Sequence, residues 1–402
     1  MKDKKNIILF VGNVYDDYMR QIIKFKQKDK SDFCIGLVID SNTKHKLSNK
    51  YKKELSFIIK CDSSDKDDIK EKLKSIKNSV LDAYIIYDKH VEFFIDVIKI
   101  LGLKNYSSPK ALRDSVDKLR SRKMFCKYCP EITPKFIKVK SKKDALAISK
   151  KIGFPCMLKP AHLVQSRLVS VSNNLAELKI NLEKTYKEID KIYEKIRVRN
   201  KPIIIAEEMV KGDLYTVDVY VDKNQKMYFT PLIYQITGKD IGIDDFHIFA
   251  RINPSNLNKK DTKNAIDVAT KSILAIDLKN ILIHVEFMKA QDDWKIIEVG
   301  PRIGGYRIKM LEMSYNIKHM VNYLFLRTGK KPIIDRKLLN YLAVIEIFSQ
   351  KEGKITSIRG LCKVKQLKCF LEMQINKNIG DEVGLAKDGY MNVLYVVLEN
   401  KN

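Results

Sequence analysis

From residue 6 to residue 102 the chain alternates short apolar runs with amphipathic stretches. Residues 6–11 are an apolar run, and 15–27 repeat apolar side chains at helical spacing. Residues 33–39 form a second buried-type run, 65–77 a charged helix, 83–87 a third run, and 91–101 a helix with one apolar face. Apolar runs of this length read as strands, and the periodic stretches between them as helices. Such alternation predicts a parallel sheet with helices on its faces. Gly12-Asn13 follows the first run without the GxGxxG that a dinucleotide-binding chain carries there.

The pattern then changes. Ser107-Ser108-Pro109 opens a helix expected to run through Lys118 to Arg122, and 133–139 reads as a strand. Ser141 is expected to cap the next helix. A short strand ends in Lys159, locked by Pro160. Residues 168–171 follow as a strand and 175–197 as a long amphipathic helix. Residues 203–210 form a strand that runs into a turn at Gly212-Asp213. Residues 214–222, 227–237 and 247–251 read as an antiparallel meander, 260–275 as a helix, and 308–327 as another. Residues 331–402 hold short strands punctuated by glycines, and read as a small β-rich unit.

Between the last two helices, two apolar runs each deliver one carboxylate. They are Ile283-His284-Val285-Glu286-Phe287 and Lys295-Ile296-Ile297-Glu298-Val299-Gly300-Pro301-Arg302-Ile303-Gly304-Gly305. Strand alternation sends the neighbours of each Glu into a core and leaves Glu286 and Glu298 facing a cleft. Two carboxylates on adjacent strands hold a hard divalent cation, and the following turn brings Arg302 beside them. That layout suits the terminal phosphates of a nucleotide. Solvated strand tips are the ordinary alternative, and the sequence around both acids argues against it.

The Lys159 strand, the 203–213 segment and the 283–305 segment, in this order, resemble the ATP-grasp superfamily of carboxylate–amine and carboxylate–thiol ligases. The resemblance covers residues 109–328, and more loosely the whole chain. It implies an α/β and α+β fold in three parts. Residues 1–108 would be a Rossmann-like pre-ATP-grasp domain, 109–330 a two-subdomain ATP-grasp domain with a lid over about 135–210, and 331–402 a small β-rich domain. Lys118 and Lys159 would bind phosphate oxygens. Glu207 to Val210 would be the adenine hinge, with backbone groups at Glu208 and Val210 on the base and an acidic side chain at the amine or ribose. A ribose-binding Glu of the family falls at Leu214 or, with a gap, at Asp213. Glu286 and Glu298 would hold Mg²⁺ or Mn²⁺, Arg302 the transferring phosphoryl group, and Arg307 the substrate carboxylate.

Two departures stand out. Gly300 occupies a position where the family usually has Asn. The loop after Lys159, residues 161–168, has no glycine, so its backbone is not expected to wrap phosphate with positive φ. Ser166 and Arg167 would then supply the hydroxyl and the charge.

The activity implied is ATP-dependent activation of a carboxylate as acyl-phosphate, followed by amide formation with an amine. The motifs sit closest to amino-acid and dipeptide ligases, with carbamoyl-phosphate-synthase-like and biotin-carboxylase-like enzymes next. No biotin-carrier Met-Lys motif is present. A degenerate domain that binds nucleotide without ligating is the competing expectation.

Composition adds bounds. A chain of 402 residues, 45% hydrophobic and 31% charged, is expected to form two or three soluble domains. Its apolar runs fall short of a membrane span, and the apolar run at residues 7–11, after Met-Lys-Asp-Lys-Lys-Asn, is too short a core for a secretion signal. Seven scattered cysteines argue for reduced thiols in a cytoplasm, and the lone Cys126-Lys127-Tyr128-Cys129 lacks a second pair at zinc spacing. The net charge of +27 is mostly lysine spread along the chain, as in proteins of AT-rich genomes. No basic block interleaved with aromatics points to specific nucleic-acid binding. The partners expected are therefore ATP and small carboxylate and amine substrates, with a homodimer compatible.

Overall fold

The structure is a computed structural model that describes residues 6–43, 47–164, 166–291 and 293–401. The residues before Asn6, on which the secretion-signal expectation partly rested, lie outside these, as does Gln165 in the loop after Lys159.

The first sheet has four parallel strands in the order Phe57–Cys61, Cys34–Asp40, Ile7–Val11, Val80–Ile85. Helices Asp16–Asp29, Lys66–Leu73 and Val91–Ile100 follow its strands. The two middle strands are almost wholly buried, as their continuous apolar runs require. Phe57–Cys61 escaped the sequence reading because it is an edge strand, half-buried and carrying Lys60.

A second, antiparallel sheet has the order Phe136–Val139, Ile204–Glu208, Cys156–Pro160, Ser170–Ser172. Helices Ala145–Ile152 and Leu175–Lys195 cover it around a core of their own, which includes Ile148, Leu158, Leu178, Leu182 and Ala206. Ser141 does not cap the first of these helices. Asp144 precedes it and turns its carboxylate back to accept from the backbone N–H groups of Lys140 and Ser141.

The third sheet is the largest. Its order is Asp293–Gly300, Ile281–Ala290, Asp213–Val221, Ile233–Thr237, Ile248–Asn253, Asn340–Ile347, Leu394–Lys401, Phe370–Ile375, and Met227–Phe229 also pairs with Asp213–Val221. The last three strands of the order come from residues expected to form a small β-rich unit of their own. They continue the same hydrogen-bonded sheet instead, because Asn340–Ile347 pairs directly with Ile248–Asn253. Only the short pair Gly353–Lys354 and Glu382–Val383 stands apart among the described residues.

Two helices expected to be continuous are broken. Pro109–Val116 ends at Asp117, whose extended backbone and side chain start Lys118–Tyr128. Asp117 Oδ1 accepts from the N–H groups of Leu119 (2.9 Å) and Arg120 (3.1 Å). This cap outcompetes helix continuation and puts Lys118 at the first helical position. The second break is at Asn316, whose left-handed backbone (φ 55°) separates Arg307–Tyr315 from His319–Arg327.

One hydrophobic core runs from the parallel sheet into the large one. Tyr84 meets Tyr323 edge-on across it, with ring centroids 4.9 Å apart. Ion pairs reinforce the seam. Arg20 grips both oxygens of Glu312, at 3.0 and 2.5 Å, and Arg327 holds Asp82 while stacking on Tyr106. No described helix is long and apolar enough to cross a membrane.

Candidate nucleotide and cation site

Glu286 and Glu298 are direct cross-strand neighbours in the antiparallel pair of Ile281–Ala290 with Asp293–Gly300. Both are half-buried on the same face of the sheet. Glu298 lies 3.3 Å from Lys118 Nζ and 3.8 Å from a terminal nitrogen of Arg302. Glu286 is 3.1 Å from His284 Nε2, and His284 Nδ1 is 2.6 Å from Asp218, which also accepts from the Gly304 N–H at 3.1 Å. The series Asp218, His284, Glu286 thus fixes one acid of the pair and anchors the glycine turn after Arg302. Burial works against the charge on Glu286. The hydrogen bond and charge of His284, with Arg302 and Arg307 behind them, outweigh it and bring the carboxyl down to about 2.

Among the described residues no three His, Cys, Asp or Glu side chains gather into a cage for an ion. Two facing carboxylates fit a cation such as Mg²⁺, which takes few protein ligands and completes its shell with phosphate oxygens and water. Lys118, Glu298 and Asp88 line one small cavity, together with Ser115, Ser121 and Val164.

Lys118 also donates to the Leu163 carbonyl at 2.8 Å, so it ties the helix Lys118–Tyr128 to the loop beyond Lys159. Lys159 Nζ lies 2.8 Å from Glu207, whose other oxygen accepts from Arg122 Nε at 2.6 Å. Arg122 continues to the Ile297 carbonyl, beside Glu298. The Glu207 side chain is thereby committed to Lys159 and Arg122. Burial raises its pKa, and the two cations override this and hold it at about 2. The Glu208 side chain accepts from the Lys135 N–H at 2.9 Å, and its own N–H donates to the Lys135 carbonyl. The Met209 N–H donates to the Pro155 carbonyl. Val210 follows with no backbone hydrogen bond from its N–H among the described residues. Asp213 stands exposed at the start of its strand, 3.4 Å from the Tyr234 hydroxyl.

The glycine-free loop does take left-handed backbone, at Ser166 (φ 54°) and Leu168 (φ 55°), against the expectation drawn from its composition. Ser166 uses its carbonyl to close the turn on the Val169 N–H. Arg167 packs on the loop at Gly389, where an added Cβ would fall 2.5 Å from its Nε. Burial pushes its pKa down.

Arg302 donates through Nε to Asp88 at 2.5 Å. Arg307 is fully buried, bonded to Thr216 Oγ1 and to the Gly305 carbonyl. Burial pushes it down to about 10, against the pull of Asp218. Asp88, Arg122 and Asp218 were missed in the sequence. Asp88 had one signal: it follows the carboxyl end of a parallel strand, where open α/β sheets place ligands.

Residues 152–310 match the family model of the ATP-grasp domain. Over 209 residues it is 24% identical to the C-terminal section of the carbamoyl phosphate synthase large chain of Aquifex aeolicus, covering 51% of this chain and 35% of that one. The chain therefore spans only about a third of that relative's length. The solved L-amino acid ligase of Bacillus licheniformis superposes with a TM-score of 0.76 at 15% identity, over 99% of this chain and 94% of that one. An N5-carboxyaminoimidazole synthetase of Staphylococcus aureus, solved with ADP, gives 0.68 at 14% identity, over 100% and 94%. At such identities these likenesses establish the fold.

Proposed function

We propose that this protein is an ADP-forming ligase that joins a carboxylate to an amine at the expense of ATP. The observation that carries the reading is the facing pair Glu286 and Glu298, with Lys118 and Arg302 converging on Glu298. Acids paired across a sheet and answered by two cations fit a metal nucleotide better than they fit a structural salt bridge.

In this reading Glu286 and Glu298 hold Mg²⁺ or Mn²⁺, which screens the terminal phosphates of ATP. Lys118 and Lys159 neutralise phosphate oxygens, and Val210 with the Glu208 carbonyl receives the adenine edge. The substrate carboxylate oxygen attacks the γ-phosphorus and ADP departs. The amine nitrogen then attacks the acyl carbon, the carbon–oxygen bond to phosphate breaks, and the amine proton passes to solvent. Arg302 stabilises the phosphoryl oxygens. No protein nucleophile is required, because positioning and fixed charge supply the acceleration. Residues 331–402 would add the far wall of the same sheet, and a cytoplasmic setting suits the cysteine content.

The test is ADP release with pooled carboxylates and pooled amines. Release that needs one member of each pool supports ligation. Binding of ATP with no turnover across the pools would leave a nucleotide-binding domain without ligase activity.

A further inference from the structure

We infer that the back of the large sheet, opposite the facing glutamates, is the surface on which two copies of this chain pair. The inference stands independently of the ligase reading.

Strand register assigns the two faces. Glu298, Glu286 and Thr216 are successive cross-strand partners, so they share one face. Thr216 pairs with Ile233, and the same register carries that face across to Arg251, Val344 and Glu346. The alternate positions make the back. There Phe287 and Tyr215 are buried, and Tyr215 meets Tyr234 with ring centroids 5.3 Å apart.

Beyond Tyr234 the back opens to solvent. On Ile248–Asn253 the back-facing positions are Ile248, Ala250 and Ile252, all half-buried. On Asn340–Ile347, Ala343 and Ile345 are half-buried, and Tyr341 and Ile347 at the ends are 41% and 45% exposed. Ile252 pairs with Ala343 and Ala250 with Ile345, so the two rows adjoin.

This inverts the usual alternation. A sheet with one solvated face turns its polar residues to water. Here the face shared with the glutamates holds Gln235, Arg251, Asn253 and Glu346, all buried, and the open face of these two strands holds no charge in a chain that is 31% charged. A contiguous apolar patch of this kind marks a contact surface.

A second copy fits it. With a net charge of +27, two copies repel wherever their lysines face each other, and this face lets them meet without that repulsion. An acidic partner would be drawn to the lysine-rich surfaces instead. A flat apolar face is complementary to itself, as a twofold contact requires. Strand spacing and rise give the open part of the three strands an area of about 300 Å². A standard interface takes about 800 Å² from each partner, an apolar core within a polar rim, and the patch has the size of that core. Pairing back to back leaves both glutamate faces open.

The experiment is sedimentation velocity of the full chain across the micromolar range, at physiological and at high salt. The wild type should sediment as a dimer, and salt should tighten it by screening the net charge. Ile345→Lys places a charge in the middle of the contact and should weaken pairing by roughly tenfold or more. Tyr341→Lys and Ile347→Lys alter side chains that already reach solvent, so the single chain folds as before, and each should also weaken pairing while urea unfolding stays cooperative. Ile180→Lys, at a residue 67% exposed on the helix Leu175–Lys195, should leave the dimer intact. A wild type that is monomeric throughout overturns the assignment. So does a dimer that survives both Tyr341→Lys and Ile347→Lys, or one that Ile180→Lys dissociates equally well.

Discussion

Arg122 and Glu207 form an ion pair that is all but sealed from solvent, 2.6 Å apart with their side chains 2% and 1% exposed. Lys159 shares the same carboxylate from its more open side, so this pair is the floor on which Lys159 is set. Arg122→Ala leaves that carboxylate buried with one partner. Breaking a buried pair from one side costs about 3–5 kcal/mol. Urea unfolding of the variant should show a loss of that order, and a change below about 1 kcal/mol would mean the site relaxes around the gap.

Acid should weaken the protein through two carboxylates. Glu207 and Glu312 ordinarily titrate near 4.5 and are held at about 2 in the fold, against burial, by Arg122 with Lys159 and by Arg20 with Lys318 and Gln21. A folded pKa below the unfolded one adds stability that is fully present above the unfolded value and is lost as pH falls toward the folded value. Urea midpoints should therefore be flat from pH 7 to pH 6 on account of these groups, and should drop between about pH 4.5 and pH 2. Arg20→Ala should flatten part of that drop, and an unaltered profile would remove Glu312 from the account.

Glu298→Gln should abolish ADP release while leaving the unfolding transition cooperative. It keeps the shape of the side chain and removes the charge that faces Glu286, Lys118 and Arg302. A fall of roughly 100-fold or more is expected when a charge aligned on the reacting phosphate is lost. Full activity at saturating Mg²⁺ would place the cation elsewhere.

Gly389 offers a handle on the loop after Lys159. Its φ of +83° and the nearness of Arg167 both oppose a side chain. Gly389→Val should displace Arg167 and raise the KM for ATP more than it lowers kcat, the pattern of a ground-state grip. Arg167→Ala should reproduce the effect. If both variants bind and turn over ATP normally, the loop is not a nucleotide cover.

Adenine selectivity checks the strand end at Val210. A backbone N–H beside a backbone carbonyl matches adenine N1 and its exocyclic amine, and mismatches guanine at both atoms. Calorimetry with nonhydrolysable ATP and GTP analogues should show clear preference for ATP, and equal affinity would dismiss the hinge.

Much of this arrangement was legible in the chain because period and punctuation are local. The facing glutamates followed from alternation in two short strands, and the parallel sheet from its apolar runs. What failed to show depended on partners far away in sequence. Asp117 looked like a mid-helix residue until its cap on Leu119 and Arg120 was seen. Nothing local to Glu207 announces its buried partner Arg122. That Gly300 leaves room for Asp88 could not be read either, since Asp88 is a distant neighbour that only folding brings near. Residues 331–402 read as a separate unit because strand partners cannot be assigned from alternation alone.

The strand Leu394–Lys401 lies between Asn340–Ile347 and Phe370–Ile375, at the opposite end of the sheet from Glu298. That order has a consequence during synthesis. Residues 281–300 are made before the strand that covers the flank of Asn340–Ile347, which begins only at Leu394. Until then the growing polypeptide exposes a bare strand edge, the kind of surface that recruits other chains. Ribosome-bound fragments ending before residue 394 should thus be the species most dependent on chaperones. Release of the next few residues seals the edge.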